Sequence, residues 1–523
     1  MSALASSSDI EPAAAGWTIR FLLLIWACFL VRGIFYSSFL PIWEGYDEFS
    51  HFAYVQQLVS PGTLPIINQT PVSKEVEQSV HLVPLAWTLR YLPSPSVTHD
   101  LYWMLPAQDR ETRQEQLRSM PREWARQASA DTGLFWEAQQ PPLYYWIASG
   151  VLRLATKQSL SARVILLRWF SIAIASFFVP LGFLLARRVL RDTGLALGVV
   201  ALVAAMPELM IDISRVANDS LVIPLYTLFV LLALQWLDDP AKAGRAFLAG
   251  LLFALSVLAK AYSLTAGPVL VLIPLVAVWR ARDRLRIFFS GMAAAVAPVF
   301  LAGWWYLRNH RTTGMWFWLP GADRIRGVPL TRVLGRVIEV DWRNVLRSVQ
   351  ISHIWFGDWS FLQVRGWMYR VFWEISLLAC VGLALCVFRL LRGVEFYALP
   401  RGADFLVLIG LYCLFCVGLA YHALLMFVLY HDSSTPGWYL YCPVAVEAIL
   451  ATAGLAALLP SRYARWILPT LTSCFALLEL YATHFLLIPY YTGLIAHTPN
   501  GGGDSSEERA GRAALRRGRN RAL

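Results

Sequence analysis

Along the chain, apolar runs of about 17–25 residues alternate with short polar breaks, the length a helix needs to cross the hydrocarbon core of a bilayer. They fall near 17–40, 161–186, 194–213, 217–236, 245–260, 262–279, 286–307, 368–390, 404–430, 438–459 and 466–489. This pattern predicts an all-α polytopic membrane protein of about eleven transmembrane helices, within a range of roughly 10–13. A short tail, 1–16, precedes the first span. A polar stretch of about a hundred residues, 41–160, separates the first two spans, and a second polar loop occupies 310–367. The later spans fill 368–490, and 491–523 reads as a disordered basic tail.

One run is ambiguous. Pro141-Pro142-Leu143-Tyr144-Tyr145-Trp146 to Ala155 is apolar but only about fifteen residues long, too short for a span. Charge decides its placement. If it lies in the interface, Arg187, Arg188 and Arg191 share a side with the N-terminus. So do Lys242 and Arg245, Arg280 to Arg286, Arg389 to Arg401, and Arg462 with Arg465. If it crosses, all of these basic loops face outward, against the positive-inside rule. The interfacial reading is therefore expected. An odd span count leaves Arg509, Arg512, Arg516, Arg517, Arg519 and Arg521 outside, which requires either a further span or translocation of the tail.

Composition agrees with this picture. The chain of 523 residues is 57% hydrophobic and 15% charged, well below the ~25% charged of soluble proteins. A soluble multidomain enzyme, a disordered chain and a disulfide scaffold are excluded. The net charge of +11 resides in loop arginines, so it marks topology and not nucleic-acid binding. The seven cysteines lie in or beside apolar runs; Cys413 and Cys416 have CxxC spacing but no second pair to complete a zinc site.

This topology gathers five polar clusters on one face. They are Glu44 to His51, Ser214 to Ser220, Lys260 with Tyr262 and Ser263, Trp304 to Asn309, and His431-Asp432 through Trp438-Tyr439. The long second loop adds His353, Asp358 and Arg365. Singly, each reads as a solvated helix end, a snorkelling cation or a belt aromatic. Together, carboxylates, cations and aromatics at a bilayer surface suit a substrate with a lipid tail and an anionic head. From charge and side, Lys260 and Arg308 are the candidates to hold a phosphate. Arg32, inside the first span, requires a partner, and Asp212 is the expected one.

In this order the clusters resemble the GT-C class of integral-membrane glycosyltransferases, in particular the protein-O-mannosyltransferase and aminoarabinose-transferase superfamily and related uncharacterised bacterial membrane proteins. The matching pieces are Asp47-Glu48 with His51, Gln140-Pro141-Pro142-Leu143-Tyr144-Tyr145, Arg187-Arg188, Asn218-Asp219, Lys260 and Trp305-Tyr306-Leu307-Arg308-Asn309, across roughly Trp17 to Asn309. The resemblance implies a GT-C-like bundle with its catalytic module in 17–309, and Asp47 as general base on the acceptor. Glu48 would orient the acceptor or substitute for the base, and Asp219 would be a second carboxylate across the cavity. His51, Asn218, Gln140 and Tyr144 would join Lys260 and Arg308 in binding substrate. The Gln140-Pro141-Pro142 segment would floor the site. It further implies a polyprenyl-phosphate-sugar donor, an inverting single displacement, and a protein, lipid or glycan acceptor. The location implied is the bacterial inner membrane, with the site facing the periplasm or exterior. Phosphate is a good leaving group, so that chemistry requires no metal or other cofactor. One departure stands out: where related chains carry an Arg-Tyr pair before a late span, this one has Gly437-Trp438-Tyr439, so Arg365 or Arg308 would have to replace that arginine.

Two other function classes remain. A transporter or flippase of a lipid-linked or anionic solute would place ionisable groups at mid-membrane, and only Arg32 and Glu208 stand there. An inactive scaffold is disfavoured by the intact Asp47-Glu48 pair.

Overall fold

The computed structural model describes residues 12–497 except 46, 91, 93–95, 281–282, 318–321 and 395–399. The expectations for the arginine-rich tail lie outside the described residues. The fold is an all-α polytopic bundle, and its one sheet among those residues is a two-residue parallel pairing of Pro84–Leu85 with Val97–Thr98.

Among the described residues eight helices are long and apolar enough to span: Gly16–Phe39, Leu160–Leu190, Asp219–Asp238, Ala261–Trp279, Arg284–Thr313, Gly366–Arg392, Gly402–Tyr430 and Ser461–Tyr491. A ninth candidate, Thr193–Ala205 with Pro207–Ile213, is bent by 66°. Proline causes the bend. Pro207 has no N–H to donate and holds the preceding residue out of the α region, and Met206 is accordingly extended (φ −64°, ψ 117°). The two remaining expected spans are shorter apolar helices, Ala243–Ala259 and Val444–Leu458, of 17 and 15 residues. At ~1.5 Å per residue they reach roughly 25 and 23 Å, short of a ~30 Å hydrocarbon core. Tight 3₁₀ turns adjoin them, Ala261–Ala266 after the first and Gly437–Tyr441 before the second. Those turns bring Tyr262 and Tyr439 to 4.4 Å between ring centroids. The polar cluster described below lies against these two turns.

The ambiguous run forms a helix only from Leu143 to Leu154, about 18 Å long and unable to cross. Tyr144, Tyr145, Ala148 and Leu152 are buried, while Trp146, Ile147 and Leu154 stay exposed. One apolar face packs on protein and the other is left bare, as an interfacial helix requires.

Several charges at membrane depth are paired. Arg32 joins Glu479 (2.8 Å) and not Asp212, which corrects the sequence expectation. The same guanidinium donates to the carbonyls of Ala204 and Ala205, freed by the bend before Pro207, while Tyr36 donates to Glu479 at 2.9 Å. Asp212 pairs instead with Arg215. Elsewhere, Gly382 and Gly454 meet at a helix crossing where any Cβ would strike the facing backbone, the small-residue contact that lets membrane helices approach closely.

Candidate active site

The chain leaves the first span through Pro41 and turns sharply. Trp43 and Asp47 both take left-handed backbone conformations (φ 67° and 56°), uncommon away from glycine and typical of functional segments. Asp47 immediately precedes the helix Glu48–Val59, and its carbonyl accepts from the Ser50 and His51 N–H groups at 2.9 and 3.0 Å. The side chain, half-buried, accepts a hydrogen bond from the Trp136 indole. Burial raises its pKa to about 6, although Trp136, Arg215 and Lys260 all favour the charged form. At neutral pH Asp47 is therefore ionised and more basic than an ordinary aspartate.

A buried layer of charge backs it. Asp219 opens its helix and receives the Lys260 ammonium on both oxygens, each at 2.5 Å. Arg215 joins Asp212 and lies 3.6 Å from Asp219. Glu137 is 8% exposed and its Oε2 has no hydrogen-bond partner. Burial first, then the negative charge of Asp47, pushes its pKa to about 8. Asn218 donates to the Ala259 carbonyl (2.8 Å) and to Gln140 Oε1 (3.3 Å), leaving its own Oδ1 buried and unpartnered. Gln140 also hydrogen-bonds Glu137. His51 meets the Tyr145 hydroxyl at 2.7 Å. Burial and the nearby Arg215 and Lys260 push its pKa well down, so the ring is neutral. Tyr145 in turn stacks on Tyr54 at 3.9 Å. The Lys260 ammonium lies 5.3 Å from the Tyr262 ring and 5.9 Å from Tyr439. Among the described residues no three His, Cys, Asp or Glu side chains converge to hold a metal ion.

Residues 28–437 match the DUF2142 family, described as a predicted membrane protein. The chain belongs to DUF2142. The matched region begins inside the first span and takes in every side chain just described except Tyr439. No curated protein matches the chain. Among solved structures it is similar to the apo form of the Archaeoglobus fulgidus oligosaccharyltransferase, at 13% identity and a TM-score of 0.37 over 95% of this chain. The zinc and sulfate complex of that protein matches at 14% identity and a TM-score of 0.28 over 70% of this chain. The DUF2142 chain spans 60% and 45% of the length of those two structures.

The structure brings Asp47, His51, Gln140, Asn218, Asp219 and Lys260 together in this DUF2142 protein, but gives several of them duties the sequence did not suggest. Glu48, 0% exposed, faces away from Asp47 into a salt bridge with Arg168 (2.7 and 2.5 Å) and also accepts from the Trp43 and Val216 N–H groups. Its carboxylate is filled by these bonds, so neither orienting an acceptor nor replacing the base fits its surroundings. Tyr144 is fully buried against Ser171 (2.7 Å), and its neighbour Tyr145 takes the place facing the cluster. Lys260 is committed to Asp219. Arg308 donates to the carbonyls of Leu64 and Pro65 at 3.1 and 2.9 Å and covers the Trp305 ring. Arg365 immediately precedes the helix Gly366–Arg392 in an exposed position and makes no side-chain cap there. Among the described residues neither nominated replacement for the missing arginine bonds to the acidic cluster, and both cations at the cluster itself are paired.

Sequence reasoning missed Glu137, Trp136 and Tyr145 in the site, and Arg163 and Arg168 inside a span. Arg163 pairs with Glu75. The signal for the two arginines was present, since charges at membrane depth need partners. For Glu137 the only hint was an acidic residue three positions before Gln140-Pro141-Pro142. Nothing local distinguishes it from the other acids of a long polar loop.

Proposed function

We propose that this protein is an inverting glycosyltransferase that moves a sugar from a polyprenyl-phosphate-linked donor to an acceptor, with Asp47 as the general base. The observation that carries the reading is the combination found at Asp47. It is the half-buried carboxylate at the mouth of an otherwise buried charge cluster, oriented by Trp136, and basic enough to take a proton near neutral pH while still ionised. The acceptor hydroxyl gives its proton to Asp47, its oxygen bonds to the anomeric carbon, and the sugar–phosphate bond breaks. Asp219 and Lys260 form a second carboxylate with its counter-ion. Trp146 and Trp304, stacked at 5.9 Å on the bare face of the interfacial helix, suit contact with the prenyl chain. The basic loops support a site on the periplasmic or exterior side of a bacterial inner membrane.

Transport fits less well. The charges at depth that would serve a solute are consumed structurally: Arg32 caps the bend, and Glu208 accepts from the Phe356 and Gly357 N–H groups at 2.8 and 3.1 Å. The test is Asp47→Asn in the purified full chain, assayed for release of polyprenyl phosphate from short-chain polyprenyl-phosphate pentoses and hexoses. Wild-type rates in that variant would overturn the assignment of Asp47.

A further inference from the structure

The reading above leaves a problem of charge. Four carboxyl groups, Asp47, Glu137, Asp212 and Asp219, share the cluster with two cations, Lys260 and Arg215, each already held by an aspartate. Sugar transfer leaves new negative charge on the departing phosphate oxygen. In a buried, net-negative site that charge is opposed, and no unengaged cation stands beside the described cluster to receive it.

Glu137 offers the other solution. Its backbone N–H is fixed to the Ser50 hydroxyl at 2.9 Å, on the helix that Asp47 begins. The residue beside it, Trp136, orients Asp47, so one dipeptide serves both carboxyls. Gln140 holds one side of the Glu137 carboxyl, while Oε2 is nine-tenths buried and unpartnered. A buried ionised oxygen without a donor is costly; a protonated one carries its own O–H and awaits an acceptor.

We propose that Glu137 is the general acid of the same transfer, holding the proton that the departing phosphate oxygen receives. This rests on the transferase reading. As the acceptor oxygen bonds to the anomeric carbon, its proton passes to Asp47. The bond from that carbon to the phosphate oxygen breaks, its electron pair stays on oxygen, and the Glu137 proton moves there. The step ends with Asp47 protonated and Glu137 ionised. Return of one proton from Asp47 to Glu137, close enough for the charge of Asp47 to act on it, restores the resting state. The opposed shifts of the two groups, about 6 for Asp47 and about 8 for Glu137, agree with a base and an acid both poised near pH 7.

The experiment compares wild type, Glu137→Gln and Asp47→Asn in the purified full chain. The donors are a short-chain polyprenyl-phosphate sugar that wild type turns over and the fluoride of the same sugar, whose leaving group needs little proton assistance. General-acid removal costs about 10²–10⁴-fold, so Glu137→Gln should lose at least about a hundredfold on the phosphate donor and tenfold or less on the fluoride. Its residual phosphate rate should no longer fall at alkaline pH. Wild type itself should decline above about pH 8, a readout that requires no variant. Wild-type behaviour of Glu137→Gln, an equal loss on both donors, or a wild-type rate flat to pH 9.5 would each overturn the proposal while leaving the transferase reading intact. Release by Asp47→Asn at the wild-type rate, or no release by wild type from any pentose or hexose donor, would overturn that reading instead.

Discussion

Removing Arg168 should unfold this end of the bundle, and it should do so without acting on chemistry directly. The guanidinium, 2% exposed, donates five hydrogen bonds: two to Glu48, one each to the carbonyls of Ser37, Leu40 and Pro41. It thereby ties the end of the first span to the helix that Asp47 starts. In Arg168→Met, Glu48 would keep only the Trp43 and Val216 N–H groups at 3.1 and 3.0 Å. Breaking one side of a buried pair costs about 3–5 kcal/mol, and each orphaned carbonyl adds roughly 1–3 kcal/mol, though not additively. The total approaches the ~5–15 kcal/mol that holds a typical protein folded. Glu48→Met/Arg168→Met removes both charges, so it should be more stable than Arg168→Met alone. Glu48→Gln, which keeps the shape but only one acceptor oxygen, should be intermediate. Thermal unfolding in detergent, followed by size-exclusion chromatography, ranks the four proteins. If Glu48→Gln melted with wild type yet transferred no sugar, Glu48 would be a participant in the reaction and the structural role assigned to it would be wrong.

Three further outcomes follow from the same geometry. Asp47 is raised from 3.8 to about 6, so the folded state loses stability as pH rises through that interval and regains it on acidification. The loss is about 3 kcal/mol at ~1.4 kcal/mol per unit. Asp47→Asn should gain on wild type by that order between pH 4 and 7 in melting experiments, and an unchanged difference would contradict the burial argument. Trp136→Phe removes the donor that favours ionised Asp47, so the acid limb of the rate profile should move up by about one pH unit; an unmoved limb would show that the indole does not set the base. Arg32→Leu leaves Glu479 without its counter-ion, holding only the Tyr36 hydroxyl, and the Ala204 and Ala205 carbonyls without their donor, and should cost about 3–5 kcal/mol in the same melting assay without changing KM.

Much of the bundle was legible because its periodicity is coarse. An apolar run either is or is not long enough to cross, and each of the eleven expected runs is largely helical, although one is broken at Pro207 and two are too short to span unaided. The demotion of 141–155 to the interface also agrees with a twelve-residue helix bare on one face. What the sequence could not show is which partner a buried charge takes. Arg32 had Asp212 as a plausible mate, but the bend at Pro207 turns Asp212 toward Arg215, and a glutamate 447 positions away meets Arg32 instead. Adjacent residues proved equally opaque. Asp47 and Glu48, and Tyr144 and Tyr145, look interchangeable in sequence, yet the left-handed turn at Asp47 and one helical step of about 100° between the tyrosines send one member of each pair to the cluster and the other to the core. Glu137 lies 90 residues from Asp47, and only the fold of the first loop brings them together.

The central claim is that Asp47 accepts the acceptor's proton during sugar transfer. The direct measurement is the pH dependence of polyprenyl phosphate release by purified wild type and Asp47→Asn, at saturating donor. The account predicts a wild-type rate that climbs through about pH 6 and an Asp47→Asn protein, folded and at least as stable, slowed by about 10²–10⁴-fold with that climb abolished. An Asp47→Asn rate within a few-fold of wild type, rising through the same pH, would contradict it.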